Sequence, residues 1–97
     1  MQRDDVLRIL AEHKPELQER FGVKSIAIFG STVRNEAGPE SDIDVLVEFD
    51  RKIGLFDLSR TKFFLEDVLN EKIDLVPRNS IIPELREIIL GEAVDVP

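Results

Sequence analysis

The sequence predicts one small α/β (α+β) domain over residues 1–97, a mixed β-sheet flanked by helices. Three observations predict it. Stretches with apolar residues at helical spacing alternate with short runs rich in β-branched residues, the pattern of a sheet covered by helices. Hydrophobic residues make up 42% and charged residues 34%, a balance that supports a folded core. A chain of 97 residues buries roughly 60–65% of its unfolded surface, enough for a single core.

Each element follows from local chemistry. Val6, Ile9, Leu10 and Leu17 have helical spacing, with Asp4 or Asp5 available as a cap. Pro15 is expected to break or restart this helix before Phe21-Gly22. Ser25–Phe29 is a short apolar run ending at Gly30, which reads as a buried strand. Residues 35–41, with Gly38-Pro39, read as a loop. In Ile43–Phe49, Ile43, Val45, Val47 and Phe49 alternate onto one face of a second strand. A helix from Asp57 to Asn70 carries Leu58, Thr61, Leu65 and Leu69 on one stripe. Lys72–Val76 is a third strand, stopped by Pro77. Ser80 begins a last helix that tolerates Pro83 in its first turn, buries Ile81, Leu85, Ile88 and Ile89, and ends at Gly91. Residues 93–96 add an edge strand or fray.

Composition excludes several kinds of chemistry. Cysteine is absent and histidine occurs once, which removes disulfides, thiolate metal sites, cysteine nucleophiles and multi-histidine metal sites. No apolar run is long enough for a membrane helix, and the charged N-terminus lacks a signal-peptide core, so a cytoplasmic protein without a membrane partner is expected. A net charge of −7 argues against direct nucleic-acid binding. It suits a basic partner, a divalent-cation site, or simply a solvated acidic surface.

Three carboxylates stand out because they fall in or beside strands. Asp42 and Asp44 are two apart at the start of the second strand, so their side chains share a face. Their Cα atoms would lie about 6.6 Å apart, where two carboxylates repel by about 2–3 kcal/mol at an effective dielectric near 20. A cation between them removes that cost. Asp74, within Ile73-Asp74-Leu75-Val76, can reach the same point if its strand pairs beside the second. Oxygen-only ligation selects a hard cation, Mg2+ or Mn2+. Read singly, Asp42 and Asp44 also suit a turn or cap, and Asp74 a solvent-facing strand edge.

Gly30-Ser31 directly follows the first strand. Glycine admits a phosphate to the backbone, and the Ser31 hydroxyl adds a donor or serves as a cap. Arg34 either neutralises phosphate or pairs with Glu36 or Glu40. This turn is neither a Walker loop nor a dinucleotide-binding glycine motif. His13 reads as a packed or capping residue, and Arg51-Lys52 as a solvated turn. Phe63 falls opposite the buried stripe of its helix, which suggests a contact site unless the C-terminal segment covers it.

Gly30-Ser31, ten intervening residues and Asp42-Ile43-Asp44 together resemble the signature of the DNA polymerase beta nucleotidyltransferase superfamily. The stretches Phe29–Arg34 and Ser41–Val47 resemble its minimal nucleotidyltransferase (MNT) branch, and Asp74 matches that branch's third carboxylate. Asn35 stands where the family usually has glycine after the arginine. The resemblance implies a polymerase beta-like fold and nucleotide transfer at a centre of two Mg2+ ions. Asp42, Asp44 and Asp74 would be the catalytic and metal-binding residues. Gly30, Ser31 and Arg34 would hold the nucleotide, with ATP as the substrate.

The resemblance also implies a partner. MNT proteins are typically encoded beside a helical HEPN protein, the toxin of a toxin–antitoxin pair, and some transfer AMP to a tyrosine of that toxin. A chain of this length leaves no room for an acceptor-binding domain, so a protein acceptor is expected, in a homo- or hetero-oligomer. The alternatives are an antitoxin that neutralises its toxin by contact alone, and a nucleotidyltransferase acting on a small molecule.

Overall fold

The computed structural model describes residues 1–36, 38 and 41–97. Part of the expected loop, and any pairing of Arg34 with Glu40, therefore lie outside the described residues. The elements run α1 (Arg3–Phe21), β1 (Val23–Phe29), β2 (Ile43–Phe49), α2 (Leu55–Leu69), β3 (Ile73–Pro77), α3 (Pro83–Glu92) and β4 (Val94–Asp95). Single 3-10 turns span Gly30–Thr32 and Arg78–Ser80. None of the described helices is long and apolar enough to cross a membrane.

The four strands form one mixed sheet in the order β3-β2-β1-β4. β1 is antiparallel to both β2 and β4, whereas β2 and β3 are parallel, joined through the α2 crossover. The uncertain C-terminal segment is thus an edge strand. Val96 N–H donates to the Ile26 carbonyl (2.9 Å), and Lys14 Nζ donates to the Val96 carbonyl (3.1 Å).

Alternation along the strands sends side chains to two cores. On one face, Ile26, Ile28, Val45, Val47 and Ile73 meet Val6, Leu10 and Leu17 of α1 and Leu65 and Leu69 of α2. On the other, Ala27, Phe29 and Leu46 meet Ile81, with Ile89, Leu90 and Ala93 packed against them. His13 packs as expected: its Nδ1 lies 2.9 Å from the Ile9 carbonyl, and its ring meets Phe64 edge-on.

Several expectations are corrected. Pro15 neither breaks nor restarts α1, which is continuous from Arg3 to Phe21. Val6 and Leu10 before it and Leu17 after it are all buried, and that common stripe offsets the hydrogen bond proline cannot make. Asp4 and Asp5 lie in the first turn, while Gln2 takes the cap position. Pro77 belongs to β3, opposite Val47; β3 is an edge strand, where a missing N–H is tolerated. The last helix begins at Pro83 rather than Ser80 and runs through Gly91. Leu85 and Ile88 are exposed, because Ile89 and Leu90 supply the inward side of α3.

Candidate active site

The site forms where β1 ends and β2 and β3 begin. Asp44 and Asp74 are partners in the parallel β2–β3 register, and Asp44 is also opposite Phe29 in the β1–β2 register. Its carboxylate therefore lies on the sheet face of Phe29 and Leu46, between the end of β1 and Asp74. Asp42 stands just before β2 and is exposed, as is Asp74. Asp44 is half-buried.

Gly30 makes this placement sterically possible. Its φ is +73°, in the left-handed region, and a Cβ there would run into Asp44 Oδ2. The chain then turns through the 3-10 segment carrying Ser31, which is partly exposed. Asn35 closes this turn at φ +56°, a conformation asparagine tolerates better than most residues. Its Oδ1 accepts a hydrogen bond from the Arg3 backbone N–H (3.1 Å). Asparagine thus meets the left-handed backbone demand of this turn.

Burial, and next the negative charge of Asp74, push the Asp44 carboxyl from its ordinary 3.8 up to about 6. A hydrogen bond with Asp74 and the charges of Asp42 and Glu92 act in the same direction. Crowded oxygen donors that resist ionisation together suit a divalent cation, which favours their ionised form. Among the described residues, however, no three carboxylates are gathered closely enough to enclose an ion. Asp44 and Asp74 form the assembled pair, with Asp42 one step outside it.

Two of the expected nucleotide contacts have protein partners. The Gly30 N–H donates to Glu92 Oε1 (2.8 Å) rather than remaining free for a phosphate. Arg34 Nη1 donates to Glu92 Oε2 (2.8 Å), and its Nε to Glu36 Oε2 (3.0 Å). Arg34 therefore has the pairing expected with Glu36, and a further one. Glu92 was not visible as a site residue in the sequence. The available signal was its position at the C-terminal end of a helix, where a negative charge is disfavoured without another partner. A surface depression of about 970 Å3 adjoins the site through Ser41 and Asp42 and is flanked by Lys62 and Lys72. Arg51 pairs with Asp50 in an exposed turn, away from the carboxylates.

The family model for the nucleotidyltransferase domain matches residues 10–96. The chain belongs to the nucleotidyltransferase domain family. This nucleotidyltransferase is 40% identical over 93 residues to the protein adenylyltransferase MntA of Thermococcus cleftensis, covering 96% of this chain and 94% of the relative. It is 52% identical over 77 residues to a candidate protein adenylyltransferase of Methanocaldococcus jannaschii, covering 79% and 83%. A solved structure described as a candidate minimal nucleotidyltransferase superposes with a TM-score of 0.80 at 37% identity, covering 97% of this chain and 95% of that one. The same fold occurs in the solved complex of a tri-AMPylated Shewanella oneidensis HEPN toxin with its MNT antitoxin. That match has a TM-score of 0.67 at 17% identity, covering 94% and 71%. The three helices and mixed sheet of this nucleotidyltransferase are thus those of the minimal fold.

Proposed function

We propose that this nucleotidyltransferase is a magnesium-dependent antitoxin that transfers AMP from ATP to a tyrosine hydroxyl of a cognate HEPN toxin. The observation that carries the reading is the pairing of Asp44 with Asp74 on one rung, directly beside the Gly30-Ser31 turn. The adenylyltransferase name of the Thermococcus relative and the AMPylated HEPN toxin of the Shewanella complex support the nucleotide and the acceptor.

Oxygen-only donors suit Mg2+ or Mn2+; Asp44 and Asp74 would hold the metal, and Asp42, which stands outside that pair, would join them when two ions bind. When bound, such ions neutralise triphosphate charge and make the attacking hydroxyl more acidic. The residues of the chain have separate tasks. The Ser31 hydroxyl donates to a phosphate oxygen. Gly30 leaves space for Asp44 and, through its αL turn, directs the chain toward Ser31. Arg34 holds positive charge at the rim, balanced by Glu36 and Glu92. The exposed Asp74 accepts the proton of the incoming hydroxyl on a carboxylate oxygen. The hydroxyl oxygen bonds to the α-phosphorus as the bond to the bridging oxygen breaks, and pyrophosphate leaves. The depression beside Asp42 gives the acceptor side chain room to approach. The reaction belongs in the cytoplasm, where ATP and magnesium are available.

Incubation with α-labelled ATP, Mg2+ and a cognate HEPN protein tests the reading. The expected result is label on the toxin and a mass increase in multiples of AMP, abolished by Asp44→Ala. Neutralisation that survives Asp44→Ala, with no label, would establish an antitoxin acting by contact. Turnover on a small molecule without a protein partner would overturn the acceptor.

A further inference from the structure

Glu92 lies at the junction of α3 and β4 and makes two contacts with the turn after β1. Ala27 pairs with Asp95 and Ile28 with Val94 in the antiparallel β1–β4 ladder. Two rungs further on, Gly30 falls opposite Glu92, but the chain there is already helical. The Glu92 side chain supplies the acceptor that a longer β4 would have offered from its backbone.

We propose that Glu92 is a positioning residue: its carboxylate holds the Gly30 amide and the Arg34 guanidinium, fixing the Gly30-Ser31 turn against Asp44. The inference rests on the nucleotide-binding reading above for the ligand that benefits. Oε1 accepts from Gly30 N and Oε2 from Arg34 Nη1, each at 2.8 Å. Both lobes of one carboxylate are used, in charge-assisted geometry. Gly30 is thus confined between two acidic side chains, with Asp44 over its Cα and Glu92 on its N–H.

The alternative occupant of these donors is phosphate. The position of Glu92 on the rung argues against that alternative. The carboxylate completes a sheet edge tied down on the far side by the Val96 and Lys14 hydrogen bonds. Arg34 and Glu92 also neutralise each other, so neither adds net charge where a triphosphate would lie. The turn is therefore rigid before nucleotide arrives, and ordering it costs no binding energy.

The test measures Mg-ATP affinity by calorimetry on the full chain, with Gly30 amide hydrogen exchange as a structural readout. Glu92→Ala removes both contacts and is expected to raise Kd about tenfold and make the Gly30 amide exchange rapidly. Glu92→Gln keeps an oxygen for Gly30 but loses the ion pair with Arg34. It is expected to raise Kd only about two- to threefold and leave Gly30 protected. Unchanged or tighter binding by Glu92→Ala overturns the proposal, because a carboxylate competing with phosphate gives tighter binding. Equal losses in the two variants also overturn it. Should Glu92→Ala fail to fold, a Gly30 amide that exchanges freely in the wild type or in folded Glu92→Gln is the overturning result. Wild-type protein that binds no Mg-ATP rejects the parent reading instead, while a protected Gly30 amide lost in Glu92→Ala still upholds the clamp.

Discussion

Asp44 and Asp74 occupy the same rung of the parallel β2–β3 ladder, so two carboxylates that repel are held together by the backbone. Asp44 bears the consequence, with its carboxyl pushed up to about 6 by burial and by Asp74. This is an arrangement a fold does not adopt for its own stability. The apolar side chains on the opposite face of β2, Val45 and Val47, supply the stability that tolerates it.

That cost has a definite pH signature in the metal-free protein. Between the ordinary 3.8 and about 6, the native state holds a proton on Asp44 that the unfolded chain has already released. Stability from this group is therefore full below that window and is lost as pH rises through it. Asp44→Asn remains neutral throughout. Its stability relative to wild type should rise from near zero at pH 4 to about 1 kcal/mol at pH 7, allowing for the solvent that screens a half-buried group. Chemical denaturation of both proteins across this range checks it. A difference that does not change with pH would show that Asp44 titrates normally.

Gly30 and Gly91 should respond to alanine in opposite directions. At Gly30, alanine must adopt φ +73° and push into the Asp44 carboxylate. The left-handed strain alone costs about 1–2 kcal/mol, and displacement of Asp44 should suppress Mg-ATP binding as well. Gly91 lies inside α3 with nothing within 4 Å of a built Cβ. Alanine there should stabilise by about 0.5–1 kcal/mol, through helix propensity and reduced freedom of the unfolded chain. Melting temperatures of the two variants suffice to check the contrast.

Much of this site was legible because its signals are local. Asp44 falls within one apolar strand and Gly30-Ser31 directly follows another, whereas spacing alone wrongly put Asp42 on the strand face: it stands before β2, outside the Asp44–Asp74 pair. Asp74 needed one additional fact, that β3 pairs beside β2, which an apolar run flanking a single carboxylate only suggested. Glu92 was not legible, since its role depends on the β1–β4 register and no local motif encodes a rung between residues 62 positions apart. Pro15 and Pro77 misled for the converse reason. Their local rule is sound, but a buried stripe carries α1 through the first, and an edge position excuses the second. On α3, Leu85, Ile88 and Ile89 all lie on a helically spaced apolar stripe. Only the placement of Ile81 and Leu90 against Ala27 and Leu46 decides which side faces inward. Phe63 is exposed in the fold, so the C-terminal segment does not cover it, a point the helical wheel alone left open.

Asn35 should discriminate sharply between two small substitutions. Its φ of +56° is acceptable to glycine and strained for alanine. Asn35→Gly gains backbone ease but loses the side-chain acceptor for the Arg3 N–H, so its net effect should be within about 0.5 kcal/mol. Asn35→Ala loses the acceptor and keeps the strain, and should cost about 1–2 kcal/mol. Urea midpoints for the pair measure the difference, and equal losses would mean that the turn does not demand left-handed geometry.

Thr32 offers the opposite kind of test, because it should tolerate loss of its polar atom. It is 1% exposed, and among the described residues its Oγ1 has no hydrogen-bond partner. Burying an unpaired hydroxyl costs about 1–3 kcal/mol, while valine keeps nearly the same shape without that cost. Thr32→Val should therefore raise stability by about 1 kcal/mol. Thr32→Ala should gain less, because removing the methyl as well leaves a void. If Thr32→Val instead lowers the melting temperature, the hydroxyl has a partner such as a buried water, which high-resolution crystallography of the wild type would locate.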